Sequence, residues 1–324
     1  MSSILTGKEF NEKYHLLCEQ FVKLTNESEN HNGFQFRTGL NVDKIEFSPY
    51  RECQPGGIYF CEFSKFPRWL NYNYRSMYYM RSVRIPDDAK VYEEKNKWKA
   101  DRIILGERIR ISELEIWNNF TDCLEAVKVN GYTLKYIEDQ TLELCVASVR
   151  KNGHALRYVR DQNEKVCLEA VKQDGDALQY VGDQNDKLCL EAVKQNGYSL
   201  YHVKNQTPEI CLEAVKQRGC ALAWIINPTQ EMCWEAVKQT GYALQYVKDQ
   251  TIEICLMGVQ REGLALKDVR NQTEEICLAA VKQNGYALEY VKNQTSGICV
   301  AAVKQNGESG KYVKDKESLF GLID

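Results

Sequence analysis

The chain has 324 residues, 44% of them apolar, with 42 basic and 45 acidic side chains and a formal net charge of -3. That apolar content suffices for a full core, and the near-neutral balance argues against a protein held to nucleic acid by a basic excess. No apolar run long enough to span a bilayer and no charged and apolar leader stands out, so a soluble intracellular chain without membrane association is expected.

Residues 1–117 read as a separate α+β module, rich in aromatics and punctuated by Pro49, Pro55, Pro67 and Pro86. A helix with Phe10, Tyr14, Leu17, Cys18, Phe21 and Leu24 on one side is expected first, then a turn at His31-Asn32-Gly33. Strands are expected at Phe34–Arg37, Gly57–Phe63, Met80–Ile85 and Lys90–Glu93, between Gly and Pro signals. Trp117 is placed at the junction with the C-terminal part of the chain.

From residue 118 the texture changes to a tandem repeat. Nine cysteines, Cys123 through Cys299, recur every 22 residues, and Gly131 through Gly307 keep the same interval. A fixed period in this range means stacked supersecondary units that bury their apolar faces against one another. The copy at 189–210, CLEAVKQNGYSLYHVKNQTPEI, fits two short helices. Thr207 is a good N-cap, Pro208 suits the first helical position and Glu209 favours the dipole; Asn or Thr fills the cap at every junction from Thr141 to Thr295. At 100° per residue the cysteine centres an apolar arc with the residue before it, the Leu after it, the Ala and the Val. The glycine is expected to stop the first helix in a left-handed conformation, and a second helix carries the next Leu and Val. The last copy departs from the pattern at Glu308, Gly310 and Glu317, so 299–324 is expected to form a polar C-terminal cap, with Leu319, Phe320, Leu322 and Ile323 folding back. The expected fold is thus an α+β N-terminal domain, 1–117, followed over 118–324 by an all-α solenoid of nine 22-residue helix-turn-helix repeats.

The thirteen cysteines invite a disulfide or metal reading. Nine of them sit at the centre of an apolar helical face, without the short paired spacing of zinc ligands, so they are read as small hydrophobes, with no metal and no cofactor.

The runs HNGFQFRTGLN, QPGGIYF from Gln54 to Phe60, VRIPDDAKVY and KWKADRIIL resemble the N-terminal module found ahead of diverse repeat arrays in proteins of giant amoeba-infecting viruses of the mimivirus group. A unit of the form CLEAVKQNGYALQYV is similar to a short αα repeat of unknown function in those viruses and in some amoeba-associated bacteria. The resemblance implies a viral protein acting in the infected host cell, in the host cytoplasm or packaged in the virion. It brings no catalytic residues with it.

The residues support three functional readings. The favoured one is a non-enzymatic scaffold for a host or viral protein. The outer position of the second helix varies freely (Lys135, Arg157, Gln179, Tyr201, Ala223, Gln245, Lys267, Glu289, Lys311), and the copy at 211–232 is the most divergent. Tyr201, Ala223, Trp224, Ile226 and Trp234 are the candidate partner-binding residues. A second reading makes the N-terminal domain a divergent ADP-ribosyltransferase-like enzyme through His31, Tyr59, Glu93 and Glu94. A third places RNA along a Lys-Gln stripe, Lys172, Gln173, Lys194, Gln195, Lys216, Gln217, Lys238 and Gln239; the 24 basic and 26 acidic residues of 123–320 count against it.

Overall fold

A computed structural model describes residues 4–15, 20–31, 33–49, 56–72, 75–94 and 97–315. The chain divides into two compact units, Met1–Asp161 and Gln162–Asp324. Leu17, Cys18, Asn32, Cys53, Glu317, Leu319, Phe320, Leu322 and Ile323, on which some expectations rest, lie outside the described residues.

The first unit opens with β1 (Ile4–Thr6) and the short helix α1 (Gly7–Lys13), whose start is fixed by a reciprocal cap between Thr6 and Glu9. There follow β2 (Phe21–Thr25), the hairpin β3 (Asn30–His31) and β4 (Phe34–Gln35), β5 (Gly39–Val42), β6 (Ile58–Glu62), a 3₁₀ segment Phe63–Trp69, the hairpin β7 (Asn71–Tyr72) and β8 (Arg75–Ser76), β9 (Tyr79–Arg84), β10 (Lys90–Glu94), β11 (Lys97–Ala100) and β12 (Arg102–Arg110). Eight strands form one sheet in the order β1-β10-β11-β6-β2-β9-β12-β5, antiparallel at every pairing. Four rings hold the core together: Phe10 lies 5.1 Å from Phe21, Phe21 lies 5.0 Å from Trp98, and Phe60 stacks on Trp98.

The expected helical face running to Phe21 and Leu24 is not formed. α1 ends at Lys13, and Phe21–Thr25 is a strand paired with both β6 and β9. All five of its residues are buried, so its apolar run carries no alternation that would separate a two-sided buried strand from a helix. Its middle residue, Lys23, is 6% exposed, with its ammonium 4.8 Å from the Phe36 ring centroid. Burial pulls that ammonium down from 10.5 to about 8. A second buried charge is better matched: Arg81 donates to both Glu29 oxygens at 2.8 Å and to the Gly106 carbonyl at 2.7 Å. The pair fixes Glu29 at φ 51, a left-handed backbone that a glutamate rarely adopts.

Nine copies of a helix and a six-residue 3₁₀ segment follow along the chain. The first unit holds α2 (Phe120–Val129) with Gly131–Tyr136 and α3 (Leu142–Lys151) with Gly153–Tyr158. The second holds α4 (Glu164–Gln173), α5 (Asp186–Gln195), α6 (Pro208–Gln217), α7 (Gln230–Gln239), α8 (Ile252–Arg261), α9 (Glu274–Gln283) and α10 (Ser296–Gln305). Their segments are Gly175–Tyr180, Gly197–His202, Gly219–Trp224, Gly241–Tyr246, Gly263–Asp268, Gly285–Tyr290 and Gly307–Tyr312. Within the first unit Trp117 bridges to the repeats: its indole donates to the Ile111 carbonyl, and its ring stacks on Tyr136 at 5.3 Å.

Each helix begins at its Asn or Thr cap, whose side chain accepts from the third backbone N–H, as at Thr207 and Ile210. The cysteine, the Ala and, in all but the last copy, the Val are buried, while the Leu after the cysteine is only half-buried. The second element is 3₁₀ rather than α. Nor is its glycine left-handed: among the described glycines only Gly33, Gly39, Gly56 and Gly57 have positive φ. The residue before the glycine turns the chain instead, from an extended conformation, φ -147 and ψ 110 at Asn196. The glycine is required by contact. A Cβ on Gly197 would lie 2.6 Å from the Ala214 carbonyl oxygen, on Gly175 2.5 Å from that of Ala192, and on Gly219 2.5 Å from that of Ala236.

Gly197→Ala must therefore push two backbones apart and is expected to cost about 1–3 kcal/mol. Gly307→Ala, where an added Cβ meets nothing within 4 Å, is expected to leave stability unchanged or raise it by up to about 1 kcal/mol. Urea melts of the two variants check the contrast, and equal effects would refute the contact argument. Lys23 makes a pH-dependent forecast. Its folded pKa is depressed, so between about 8 and 10.5 the unfolded chain holds the proton that the folded one has lost, and stability from this group rises with pH across that window. Lys23→Met is expected to stabilise the protein at pH 7 by at most about 3 kcal/mol, with the gain shrinking toward pH 10. An undiminished gain at pH 10 in denaturant melts would contradict it.

Candidate partner-binding face

In each 3₁₀ segment the fourth position is an apolar core residue in all but the last copy, where Gly310 stands, and the third is a small buried one. The second, fifth and sixth positions reach the surface. There the copies touch one another through rings and cations. Tyr132 meets Tyr158 of the next copy edge-on at 6.2 Å, and Arg157 lies 5.2 and 4.9 Å from their centroids. Tyr286 and Tyr312 repeat the arrangement, with Lys311 5.2 and 5.0 Å away. Lys267 stands 5.8 Å from Tyr242.

Two further columns tie copies together through backbone groups. A glutamine just before most of the helix caps donates to a carbonyl 18 residues on and accepts an N–H 20 residues on: Gln184 bonds the His202 carbonyl at 2.9 Å and the Lys204 amide at 3.0 Å. Gln140, Gln162, Gln250, Gln272 and Gln294 do the same. Six of the repeat thiols point at these amide oxygens, Cys189 at Gln184 and Cys277 at Gln272 being 3.7 and 3.8 Å away, while Cys123 faces the Ile116 and Trp117 carbonyls. Burial pushes the thiols up, which favours their protonated form. In the other column a Lys or Arg reaches back 22 residues to a carbonyl, as Lys204 does to Gly182 at 2.7 Å and Lys292 to Arg270 at 2.8 Å.

The cation column lapses at Gly182, and both columns break together at one place. Pro228 stands where the glutamine belongs and Ile226 where the cation belongs, within three residues of each other and next to Trp224. Ile226 is 76% exposed and Tyr201 68%. Of the candidate residues, Tyr201 and Trp224 are brought together, with ring centroids 6.1 Å apart, and Ala223 is exposed beside them. Trp234 lies half-buried on α7 and makes no ring contact with them among the described residues. Tyr198 was missed by the sequence reading: it lies 5.3 Å from Trp224 at 82°. Its signal, a ring one period and four residues before Trp224, recurs in Tyr132 with Tyr158 and Tyr286 with Tyr312.

Several of the other candidate groups are engaged in structural contacts. Among the Lys-Gln stripe, Gln195 and Gln239 accept the Gly175 and Gly219 amides at 2.8 Å, and Gln217 donates to the Lys194 carbonyl at 2.7 Å. In the sheet, Tyr59 lies under Lys97 at 4.3 Å, Glu94 pairs with Lys97 and Glu93 with Lys13, while His31 sits on the β3–β4 hairpin with its ring edge-on to Phe36. Among the described residues no group of three His, Cys, Asp or Glu is placed to hold a metal ion, and no helix is long and apolar enough to cross a membrane.

An antiparallel sheet module ahead of short helical repeats, stapled copy to copy, defines a helical-repeat protein of the solenoid class. Comparison with known proteins gives the family. The chain is 33% identical over 105 residues to the uncharacterized protein R869 of Acanthamoeba polyphaga mimivirus, covering 32% of this chain and 76% of that one, and it belongs to the family of that protein. Two mimivirus proteins with ankyrin-repeat names, R868 and R838, are 31% and 30% identical over 104 and 127 residues. Those matches take in 30% and 34% of this chain and 50% and 45% of theirs, so it spans about half the length of these two relatives. Residues 141–185, 163–207 and 185–227 each match a domain of unknown function, DUF4116. No solved structure matches. The chain is thus a repeat protein of the giant-virus type.

The staples make a paired expectation. Gln206→Leu removes the donor to the Trp224 carbonyl, 2.9 Å away, and is expected to cost about 1–3 kcal/mol. Pro228→Gln supplies the missing amide and is expected to gain about 1 kcal/mol, the loss of proline's entropic benefit being set against two hydrogen bonds. Urea midpoints decide, and a destabilised Pro228→Gln would overturn the staple account.

Proposed function

We propose that this protein is a non-enzymatic scaffold that binds a host or viral protein across the surface of its 3₁₀ segments, centred on residues 198–226. One observation carries the reading: the framework positions are occupied by the same contacts in copy after copy, whereas the second and fifth segment positions change freely, and at Ile226 and Pro228 two framework groups give way beside exposed Tyr201 and Ile226. Variation on a fixed frame is how stacked repeats distinguish partners. Large exposed apolar side chains grouped with a tryptophan are the usual composition of an interface centre. The ankyrin-repeat names of two relatives accord with a role in binding.

The mimivirus relatives support an infected amoeba as the context, and the host cytoplasm is read as the working location, with the virion as the alternative. The module over 1–117 and the repeats over 118–324 are read as two functional parts. The engagement of the stripe glutamines by backbone groups, and the 24 basic against 26 acidic residues of 123–320, weigh against RNA as the ligand.

The test is capture from amoebal lysate by the immobilised full-length chain, compared with the double substitution Tyr201→Lys and Ile226→Lys. Both side chains are exposed, so both proteins are expected to melt alike. Discrete proteins retained by the parent should be lost, about ten-fold or more, from the variant. Undiminished capture by the variant would place the interface elsewhere.

A further inference from the structure

We infer that Tyr198, Tyr201 and Trp224 form a binding corner for the lysine or arginine side chain of a partner polypeptide. The inference deepens the scaffold reading and rests on it. It comes from comparing equivalent places in successive copies. Four described segments carry tyrosine at the second position, Tyr132, Tyr198, Tyr242 and Tyr286. Three are met by a cation from the fifth position of the following copy: Arg157 over Tyr132, Lys267 over Tyr242 and Lys311 over Tyr286. In two of them the cation also covers the ring at the sixth position, Tyr158 or Tyr312.

The fourth case has the same edge-to-face pair, Tyr198 and Trp224, but the fifth position is Ala223. The side chain that would supply the charge is missing, and among the described residues no cation stands over Trp224. Tyr198 has Arg218 5.8 Å from its centroid, a neighbour that comes from the end of α6 and not from the fifth position. A third ring is added instead. Tyr201, itself at a fifth position, turns toward Trp224 at 6.1 Å and 66°. Two tyrosine rings, each set steeply against Trp224 beside an exposed alanine, make a corner whose ring faces attract a positive charge, and tryptophan is the strongest of these attractors. Tyr198 is 40% exposed and Tyr201 68%, so the corner opens to solvent. Ile226, 76% exposed two residues past Trp224, offers an apolar contact for the residue beside the partner's cation.

The substitution Ala223→Lys tests this, because it installs the internal cation that copies with Lys135, Lys267 and Lys311 already tolerate. Random peptides displayed on phage are panned against the full-length chain, and recovered peptides are measured by fluorescence anisotropy on the parent, on Ala223→Lys and on Tyr201→Ala, each verified as folded by its melting curve. The expected result is enrichment of arginine or lysine among the binders and an affinity about ten-fold lower on Ala223→Lys, the effect of losing one desolvated cation–π contact. Replacing the enriched arginine by citrulline should cost as much. Binders lost on Ile226→Lys but indifferent to Ala223→Lys would overturn the cation corner while leaving the scaffold reading intact. If panning yields no binders and lysate capture yields no partner, both readings fall.

Discussion

The contact on which the repeats depend is between two backbones. Among the described residues, Gly131, Gly175, Gly197, Gly219, Gly241, Gly263 and Gly285 each meet a helix carbonyl of the following copy at a separation that leaves no room for a methyl group, whereas Gly307 in the last copy meets none. Close approach of this kind is what glycine alone permits, and here it does so without any unusual dihedral. Everything else at the junction is scaled to that distance. The helix supplies Ala, Ser or Gly at the position whose carbonyl is met; a larger side chain there would stand in the same gap. At Gly258 an added Cβ would come within 2.4 Å of Leu244. The glutamine amide spans from one cap to the next segment end only while this spacing holds, which couples the column of amides to the column of glycines.

The polar chemistry of the junctions is local and repeated, and it consumes groups that would otherwise advertise function. Glutamines at the cap and at the helix end take up amides and carbonyls left over where short elements terminate. Each of these backbone groups would cost about 1–3 kcal/mol if buried unpaired. Six of the repeat cysteines sit against the same amides, in an apolar setting that raises their pKa, so these thiols serve packing and weak donation.

How far the sequence could be read depended on how often the molecule repeated itself. The first helix of each copy, its cap and its buried cysteine were legible because nine instances average out the exceptions. The 3₁₀ character of the second element was not, since a Leu and a Val three residues apart suit one turn of either helix. The glycine was seen, but its cause lies in a neighbour 17 residues away, where no local rule looks. In the sheet module there is one instance of everything. β2 was misread because burial on both faces removes alternation, and β11 was missed because Lys97 and Lys99 occupy buried positions, Lys99 donating to the Ser48 carbonyl at 2.8 Å. Of the candidate face, Tyr201, Trp224 and Ile226 were legible as departures from consensus. Tyr198 shares its residue type with Tyr132, Tyr242 and Tyr286, and its part emerges only from the ring it meets in the next copy.

A regular stack has a reason to place recognition at an irregular copy. Stability in such arrays is a sum of copy and nearest-neighbour terms, so a weakened junction costs only its own interface. Where Pro228 replaces the amide and Ile226 the cation, two staples are given up together, and their loss frees side-chain positions that most other copies use on themselves. Ala223 extends the same logic to the aromatic column. The fifth-position cation that satisfies the ring pairs at Arg157 and Lys311 is absent there, Arg218 reaching Tyr198 alone, while the rings are kept and a third is added. Removing a self-contact while preserving the surface that makes it leaves that surface complementary to the group removed. The most divergent copy thus differs from its neighbours in what it leaves unsatisfied, and the chemistry of a partner can be read from the contact that the other copies make with themselves.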